Sequence, residues 1–122
     1  MKTYHTDTAP AAIGPYSQAV SACKILFCSG QIPIDPATGN LKGETIEEQA
    51  EQSCKNVMEL LKAAGVDASK VVKTTCFIAN MSDFAKFNEV YAKYFISKPA
   101  RSCVEAKLPK GALCEIEAIA EL

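Results

Sequence analysis

The spacing of apolar residues between positions 46 and 64 limits most strongly what this chain can fold into. Apolar side chains recur there every three or four residues, at Ile46, Ala50, Cys54, Val57, Leu61 and Ala64. This spacing places them along one face of an α-helix, while charged residues occupy the other face. Thr45 and Glu48 are spaced as a capping box, and Gly65 favours a stop after the last turn. The segment therefore predicts a helix with one face on a core and the other in water.

The segments around this helix favour short strands. Residues 25–31 form a short apolar run, and residues 71–79 are rich in β-branched side chains whose alternation places Val72, Thr74, Cys76 and Ile78 on one face. Residues 102–108 and 113–120 are the last two strand candidates. Residues 109–112 between them predict a hairpin turn.

A second helix is predicted after residue 82. Ser82 is suited to cap it, and Pro99 lies beyond its end. Its apolar stripe consists of Phe84, Phe87, Tyr91 and the pair Tyr94/Phe95.

The predicted order is strands, helix, strand, helix and a final strand hairpin. Because crossover connections are right-handed, this order places both helices on one side of a mixed sheet, an α+β fold. The opposite face still carries apolar strand residues, and a chain of 122 residues is too small to leave a large apolar face in water. We therefore expect the chain to self-associate.

Composition indicates one domain over residues 1–122. A chain of this length that is 48% hydrophobic can bury one core but not two. Its net charge of −1 and pI near 5.8 offer no basic surface for phosphate backbones, so no nucleic-acid partner is expected. No apolar run is long enough to span a membrane and residues 1–10 are polar, so we expect a cytoplasmic protein without a membrane partner.

Cysteine and histidine usage limits the chemistry. The six cysteines include no Cys-x-x-Cys pair and His5 is the only histidine, so we expect free thiols and no metal site. Ser-His-Asp and Cys-His catalysis would both have to recruit His5 near the terminus. Carboxylates, hydroxyls, thiols, Lys and Arg remain as the groups that could react.

Arg101 is the first candidate for binding a ligand. The chain has thirteen Lys and Arg residues, and only Arg101 is an arginine. A guanidinium offers a rigid fork that holds a carboxylate through two parallel hydrogen bonds, which a lysine cannot do. Two interpretations are open from the sequence: an anchor for an anionic ligand, or a structural salt bridge to a strand glutamate.

Glu115 and Glu117 are candidates for acid–base chemistry, because they interrupt the apolar run at residues 113–120 and share one face of the predicted strand. A carboxylate beside an electrophile can position or deprotonate water, and one with a raised pKa can return a proton. A solvated strand face is the alternative. Cys103 lacks a histidine partner and is predicted to pack as a small hydrophobic residue. Ser29 either presents its hydroxyl or its backbone amide to a ligand or ends a strand.

Three blocks of sequence resemble the RidA family, also called YjgF. They are Gly14-Pro15-Tyr16-Ser17-Gln18, Ser29-Gly30-Gln31-Ile32-Pro33, and Pro99 to Glu105 continuing through Glu115-Ile116-Glu117. The blocks occur in the family's order, and the resemblance spans nearly the whole chain. It implies a chorismate-mutase-like α+β protomer that assembles into a homotrimer with clefts between adjacent subunits.

The resemblance also implies an activity and a set of site residues. Family members hydrolyse reactive 2-imino and enamino acids, such as 2-aminoacrylate and 2-aminocrotonate, to 2-keto acids and ammonia without a cofactor. By motif match, Arg101 would bind the substrate carboxylate and Glu115 would hold the attacking water. The pocket would be lined by Tyr16, Ser29, Asn88 and Cys103. Tyr16 would come from a different subunit than Arg101.

The chain departs from the family pattern at one point. After Arg101 the family usually has Cys-Val-Glu-Val-Ala-x-Leu-Pro, whereas residues 103–109 of this chain are one residue shorter. A deletion within a strand inverts the facing of every later residue, unless a bulge or the turn absorbs the slip. The facing of Glu115 is therefore open.

Two other functions are also open. A non-catalytic trimer could bind carboxylate ligands in the same cleft, or act as a chaperone through exposed apolar surface. A ribonuclease or translation inhibitor, an activity also attributed to the family, fits poorly with the acidic balance and the single histidine.

Overall fold

The computed structural model describes all 122 residues and is built mainly of a six-stranded sheet and two α-helices. The strands are β1 (Lys2–Tyr4), β2 (Ala19–Ala22), β3 (Ile25–Gln31), β4 (Val71–Ile78), β5 (Ala100–Glu105) and β6 (Cys114–Glu121). The helices are α1 (Ile46–Ala63) and α2 (Phe84–Tyr94). The strand order is β1-β2-β3-β6-β4-β5, and only the β4–β5 pair is parallel. The sheet is therefore mixed, as predicted.

Helix α1 begins and ends as its sequence predicts. The Thr45 hydroxyl accepts a hydrogen bond from the Glu48 amide at 3.2 Å, and the Glu48 carboxylate accepts one from the Thr45 amide at 3.2 Å. This capping box satisfies two backbone donors that the helix itself cannot pair. After the last turn, Gly65 adopts a φ of +81°, a conformation that favours glycine.

Both helices cover the same face of the sheet. Helix α1 packs on β3 and β6, and α2 packs beside α1. The Tyr91 hydroxyl of α2 hydrogen-bonds the Thr74 hydroxyl of β4 at 2.6 Å on that face. Buried apolar side chains between the helices and the sheet, such as Leu26, Phe87 and Ile116, form a hydrophobic cluster. The predicted α+β arrangement with both helices on one side is confirmed.

The predicted hairpin between the last two strands is wrong, because β4 lies between β5 and β6. Strand β5 pairs with β4 in parallel, and β6 pairs with the other edge of β4. The connection over residues 106–113 therefore passes the end of β4, where the Ala106 amide donates to the Ile78 carbonyl at 3.0 Å. The parallel pair requires a crossover, which α2 supplies.

The predicted facing of Val72 is also wrong. A bulge in β4 pairs Val71 with Ala120 and Lys73 with Ile119, so two steps along β4 match one along β6. Val72 is the extra residue, and it is 47% exposed instead of facing the helices.

Ser82 does not cap α2 as predicted. A short 3₁₀ turn over Met81–Asp83 runs directly into the helix, and no side chain makes a capping hydrogen bond at its start. Asp83 occupies the position directly before the helix, so Ser82 lies one residue too early in the chain to act as the cap.

The face opposite the helices carries apolar side chains that no helix covers. These are Val20, Phe27, Phe77, Val104 and Ile119. Phe27 is 43% exposed and Val104 is 45% exposed. Phe27 lies between Val20 of β2 and Ile119 of β6, so these three side chains form one row across three strands. Phe77 and Val104 form a second pair on β4 and β5. A patch of this kind favours association with another chain.

We expect the protein to sediment as an oligomer and Phe27→Lys to dissociate it, because an unpaired ammonium would be buried within the association surface. Met81→Lys is the matched control, since Met81 is 42% exposed but lies in the connection between β4 and α2. Sedimentation velocity or light scattering at micromolar protein measures the mass. A wild-type monomer, or a Phe27→Lys variant that keeps the wild-type mass, would contradict this prediction.

Candidate functional site

Arg101 is held in place between β5 and α2. It pairs with Thr74 of β4, so its side chain lies on the helix side of the sheet. Its Nη1 donates a hydrogen bond to Oδ1 of Asn88 at 2.8 Å. The guanidinium carbon lies 4.8 Å from the centre of the Tyr91 ring and 5.4 Å from that of the Phe84 ring. Both distances are typical of cation–π contacts.

Helix α2 presents these three partners because of their spacing. Phe84, Asn88 and Tyr91 occupy positions i, i+4 and i+7, which share one face of a helix. Sequence spacing alone predicts core positions for both rings and does not reveal their contact with Arg101. The one sequence signal for this contact is the polar Asn88, which lies between the two rings on the same helix face.

No acidic side chain pairs with Arg101. None of the three ion pairs in the chain includes it, so no carboxylate oxygen lies within 4.0 Å of its guanidinium nitrogens. The structural salt bridge that the sequence left open therefore has no partner within the chain. A partly buried guanidinium without a counter-charge favours an anionic ligand.

A cleft of about 540 Å³ opens beside Arg101, between α2 and the start of β5. Asn88 and Lys98 contribute polar groups to it. The other walls are formed by Tyr91, Ala92, Phe95, Ile96 and Pro99. A concave site with apolar walls and a few polar groups is typical of small-molecule binding, and its volume lies within the usual range of ligand pockets.

Cys103 follows Arg101 by two residues on the same side of β5 and is partly buried. Burial raises the pKa of its thiol, and the nearby Arg101 charge only partly opposes that effect. A thiol with a raised pKa is a poor nucleophile at neutral pH. Its environment favours a packing role over nucleophilic catalysis.

Glu115 lies on the open face of β6, against the backbone of Gly30. A Cβ placed on Gly30 would overlap the carboxylate and would lie 2.9 Å from the carboxyl carbon. Partial burial raises the pKa of Glu115, and repulsion from Glu117 on the same face raises it further. A carboxyl group with a raised pKa can both accept and return a proton.

A β-bulge at Ser29-Gly30 makes this contact possible. Between residues 28 and 31, three steps along β3 match two along β6, so one extra residue is inserted. Hydrogen bonds fix the bulge: the Ser29 hydroxyl donates to the Ser17 carbonyl at 2.6 Å, and the Ser29 amide donates to the Gln18 carbonyl at 2.9 Å. Glycine at the next position leaves room for the Glu115 carboxyl group, which occupies the space where a Cβ would lie.

The shorter segment after Arg101 does not disturb β6. Strand β5 ends at Glu105, so the missing residue falls in the connection that leads to β6 and not inside a strand. Residues of β6 alternate regularly, with Ile116 buried and its neighbours Glu115 and Glu117 on the open face. The connection between β5 and β6 therefore accommodates the missing residue without inverting the facing of the β6 side chains.

The predicted site residues fall into two groups on opposite faces of the sheet. The arginine group, on the helix side, is Arg101, Asn88 and Cys103. The glutamate group, at the bulge beside the open face, is Glu115 and Ser29. Tyr16 lies in the loop before β2 and is 50% exposed, next in sequence to the Ser17 that anchors Ser29. A single chain does not bring the two groups together.

Nearly the whole chain matches a known protein family. The model of the endoribonuclease L-PSP family, which includes the RidA and YjgF proteins, matches residues 6–122. The chain belongs to the RidA/YjgF family. The resemblance carried by the three sequence blocks is thereby confirmed.

Members of the RidA/YjgF family are similar to this chain over their full length. A Mus musculus protein named 2-iminobutanoate/2-iminopropanoate deaminase is 50% identical over 98% of this chain and 90% of its own. The crystal structure of RidA from the Antarctic bacterium Psychrobacter is 40% identical with a TM-score of 0.95, and covers 100% of both chains. The structure of E. coli TdcF with bound serine is 42% identical with a TM-score of 0.95, and covers 100% of this chain and 99% of its own.

Two further structural findings concern metals and membranes. No three His, Cys, Asp or Glu side chains are placed to hold a metal ion. Neither helix combines the length and the apolar character needed to cross a bilayer.

Gly30→Ala is expected to displace the Glu115 carboxylate and leave the fold intact. The added methyl group would overlap only the end of a flexible side chain, and Gly30 does not adopt a positive φ. The stability cost should therefore be about 1 kcal/mol. A crystal structure of the variant should show Glu115 in a different rotamer. Gly14→Ala is the control, because its Cβ would make an ordinary 3.4 Å contact with the Tyr16 ring. An unmoved Glu115 in Gly30→Ala would contradict the contact.

Proposed function

We propose that the protein is a deaminase that hydrolyses reactive 2-imino acids and their enamine tautomers, such as 2-aminoacrylate and 2-aminocrotonate, to 2-keto acids and ammonia. The reaction takes place in the cytoplasm without a cofactor, at sites between the subunits of a homotrimer of single-domain, chorismate-mutase-like protomers. The observation that carries the proposal is the Arg101 guanidinium, held by Asn88 and two aromatic rings beside a cleft and left without an acidic partner.

Arg101 binds the substrate carboxylate. Two of its N–H groups donate parallel, charge-assisted hydrogen bonds to the two carboxylate oxygens. The Asn88 bond and the ring contacts keep the guanidinium in one orientation, so the imino carbon next to the carboxylate is also placed. The side chain of the substrate extends along the apolar walls of the cleft.

Glu115 carries the proton transfers. An iminium carbon next to a carboxylate is electrophilic, so a positioned water attacks it when Glu115 accepts one of the water protons. A carbon–oxygen bond forms, and Glu115 then returns the proton to the nitrogen of the resulting carbinolamine. As the carbon–nitrogen bond breaks, the carbinolamine hydroxyl gives its proton to Glu115 and its oxygen becomes the carbonyl of the 2-keto acid. The released ammonia takes up that proton and leaves as ammonium, so Glu115 is ionised again. A raised pKa suits Glu115 to both steps.

Two subunits complete one site. Arg101 and Glu115 lie on opposite faces of their own sheet, so a ligand held by Arg101 meets the Glu115 of a neighbouring copy. The uncovered apolar face that bears Glu115 is the surface through which copies associate. The glutamate group and Tyr16 of one subunit then face the arginine group of the next.

The names of relatives agree with deamination. Mouse and human proteins that are both 50% identical to this chain are named 2-iminobutanoate/2-iminopropanoate deaminase. RNA cleavage, which the name of the matched family model suggests, has less support in this chain. His5 is the only histidine, and it is exposed and hydrogen-bonded to Asp7 instead of to a residue of either group. A net charge of −1 also gives RNA little attraction.

A coupled assay tests the proposal. A threonine dehydratase acting on threonine releases 2-aminocrotonate, which becomes a 2-keto acid slowly without a catalyst. We expect the rate of keto-acid appearance to rise in proportion to the amount of this protein added. A non-catalytic ligand-binding protein or a chaperone would leave that rate unchanged, so a rate that does not respond to the protein contradicts the proposal.

Arg101→Lys should lower kcat/KM for imine hydrolysis by about ten- to a hundredfold, because lysine keeps the charge but loses the second hydrogen bond to the carboxylate. The trimer and its melting temperature should change little, since no ion pair within the chain is lost. Steady-state kinetics and a thermal melt measure the two effects. Near wild-type kinetics together with a lower melting temperature would instead assign Arg101 a structural role.

Mixed trimers test whether one site uses two subunits. Arg101→Ala and Glu115→Gln trimers should each be nearly inactive. In any trimer that contains both variants, one of the three interfaces combines an intact Arg101 with an intact Glu115, so about one third of wild-type activity should return. The variants can be co-expressed with different tags and purified through both. Mixed trimers that stay inactive would contradict a shared site.

A further inference from the structure

A buried glutamine lies beneath the bulge that carries Ser29 and Gly30. Gln31 is 5% exposed and faces the helices, on the side of the sheet opposite to Glu115. Its Nε2 donates hydrogen bonds to the Ser29 carbonyl at 3.0 Å and to the Gly30 carbonyl at 3.3 Å. One side-chain amide therefore holds both carbonyls of the bulge.

The other atom of the same amide has no partner. Oε1 of Gln31 is buried and accepts no hydrogen bond from the protein. An unpaired buried acceptor destabilises a fold, and an apolar side chain of the same length would avoid that cost. Packing therefore does not explain an amide here. Its contribution lies in the two hydrogen bonds that it donates to the bulge.

The bulge is the backbone segment against which the carboxyl group of Glu115, the candidate proton carrier, lies. The Gly30 backbone touches the Glu115 carboxyl group so closely that no Cβ fits between them. A bulge locally interrupts the ladder of hydrogen bonds, so the sheet alone does not fix the orientation of its peptide groups. Ser17 holds the bulge through the Ser29 hydroxyl. Gln31 holds it from the helix side.

We infer that Gln31 is a positioning residue: by holding the Ser29 and Gly30 carbonyls, it fixes the backbone surface on which the Glu115 carboxylate rests. Gln31 contacts no substrate and acts only through Gly30 and Glu115. Its effect on catalysis rests on the proposed function, whereas its effect on Glu115 does not. If the backbone at Ser29 and Gly30 becomes mobile, water reaches the Glu115 carboxylate. Its charged form is then better solvated, so the pKa of Glu115 falls toward its ordinary value.

Gln31→Met removes both donors and keeps the length of the side chain. Gln52→Met is the matched control, because Gln52 is also buried, at 7% exposure, but donates to Asn56 within α1 at 2.8 Å and not to the bulge. Imine hydrolysis by Gln31→Met should show kcat lowered by about five- to twentyfold with KM changed by about twofold or less, since Arg101 is untouched. Activity requires ionised Glu115, so a lower pKa should move the acid limb of the pH–rate profile to lower pH. Gln52→Met should keep the wild-type profile.

A titration without substrate separates this inference from the proposed function. NMR of isotope-labelled glutamate side chains, with the Glu115 signal assigned by its loss in Glu115→Gln, reports the ionisation of Glu115 in the assembled protein. The midpoint in Gln31→Met should lie about half a pH unit or more below that of the wild type, and the midpoint in Gln52→Met should not move. If the wild type fails to hydrolyse imines, the proposed function fails and this titration still decides the role of Gln31.

Gln31→Asn serves as a second variant if Gln31→Met does not fold, because it keeps an amide but withdraws it from the two carbonyls. A lower melting temperature combined with a wild-type Glu115 midpoint and a wild-type pH profile would make Gln31 a purely structural residue. That result would overturn the inference.

Discussion

The packing of α1 on β3 and β6 is the contact on which the rest of the structure depends. It buries Val57 and Leu61 in one cluster with Leu26 and Ile116, and it holds β6 at the centre of the sheet. Because the second helix lies beside the first, no helix remains for the other face. Alternate residues of β6 must therefore point away from the core. Glu115 is one of them, so the packing that forms the core also places this carboxylate on the uncovered face.

Local signals predict most of the elements, whereas pairing between distant strands is not visible in them. The capping box, the apolar stripe and Gly65 predict α1 to within one residue of its observed end, because all three act within a few turns. Strand order depends instead on the crossover through α2. Residues 109–112 have the composition of a hairpin turn, yet β4 separates the strands on either side of them. The bulge at Val72 is hidden for the same reason, since it exists only relative to β6.

The residues of the candidate site also differ in how far the sequence predicts them. The sequence itself singles out Arg101 because it is the only arginine. It singles out Glu115 because a charged residue is unusual in an apolar run. Asn88 is suggested by family resemblance alone, and the rings that contact Arg101 have the spacing of ordinary core residues. The separation of the two groups onto opposite faces follows from strand register, which the sequence does not state. The contact between Gly30 and Glu115 depends in turn on a bulge.

The contacts around Arg101 mean that its side chain is ordered before any ligand arrives. A free arginine has about 2 kcal/mol of rotamer entropy to lose when it grips an anion. Here the Asn88 hydrogen bond and the Tyr91 and Phe84 rings remove much of that freedom when the chain folds. Binding of an acid would therefore cost less arginine side-chain entropy, so the contact with the carboxylate alone would provide a larger share of the affinity. The proposed site would then depend little on the remainder of the ligand, so we expect it to accept acids that have only the carboxylate in common.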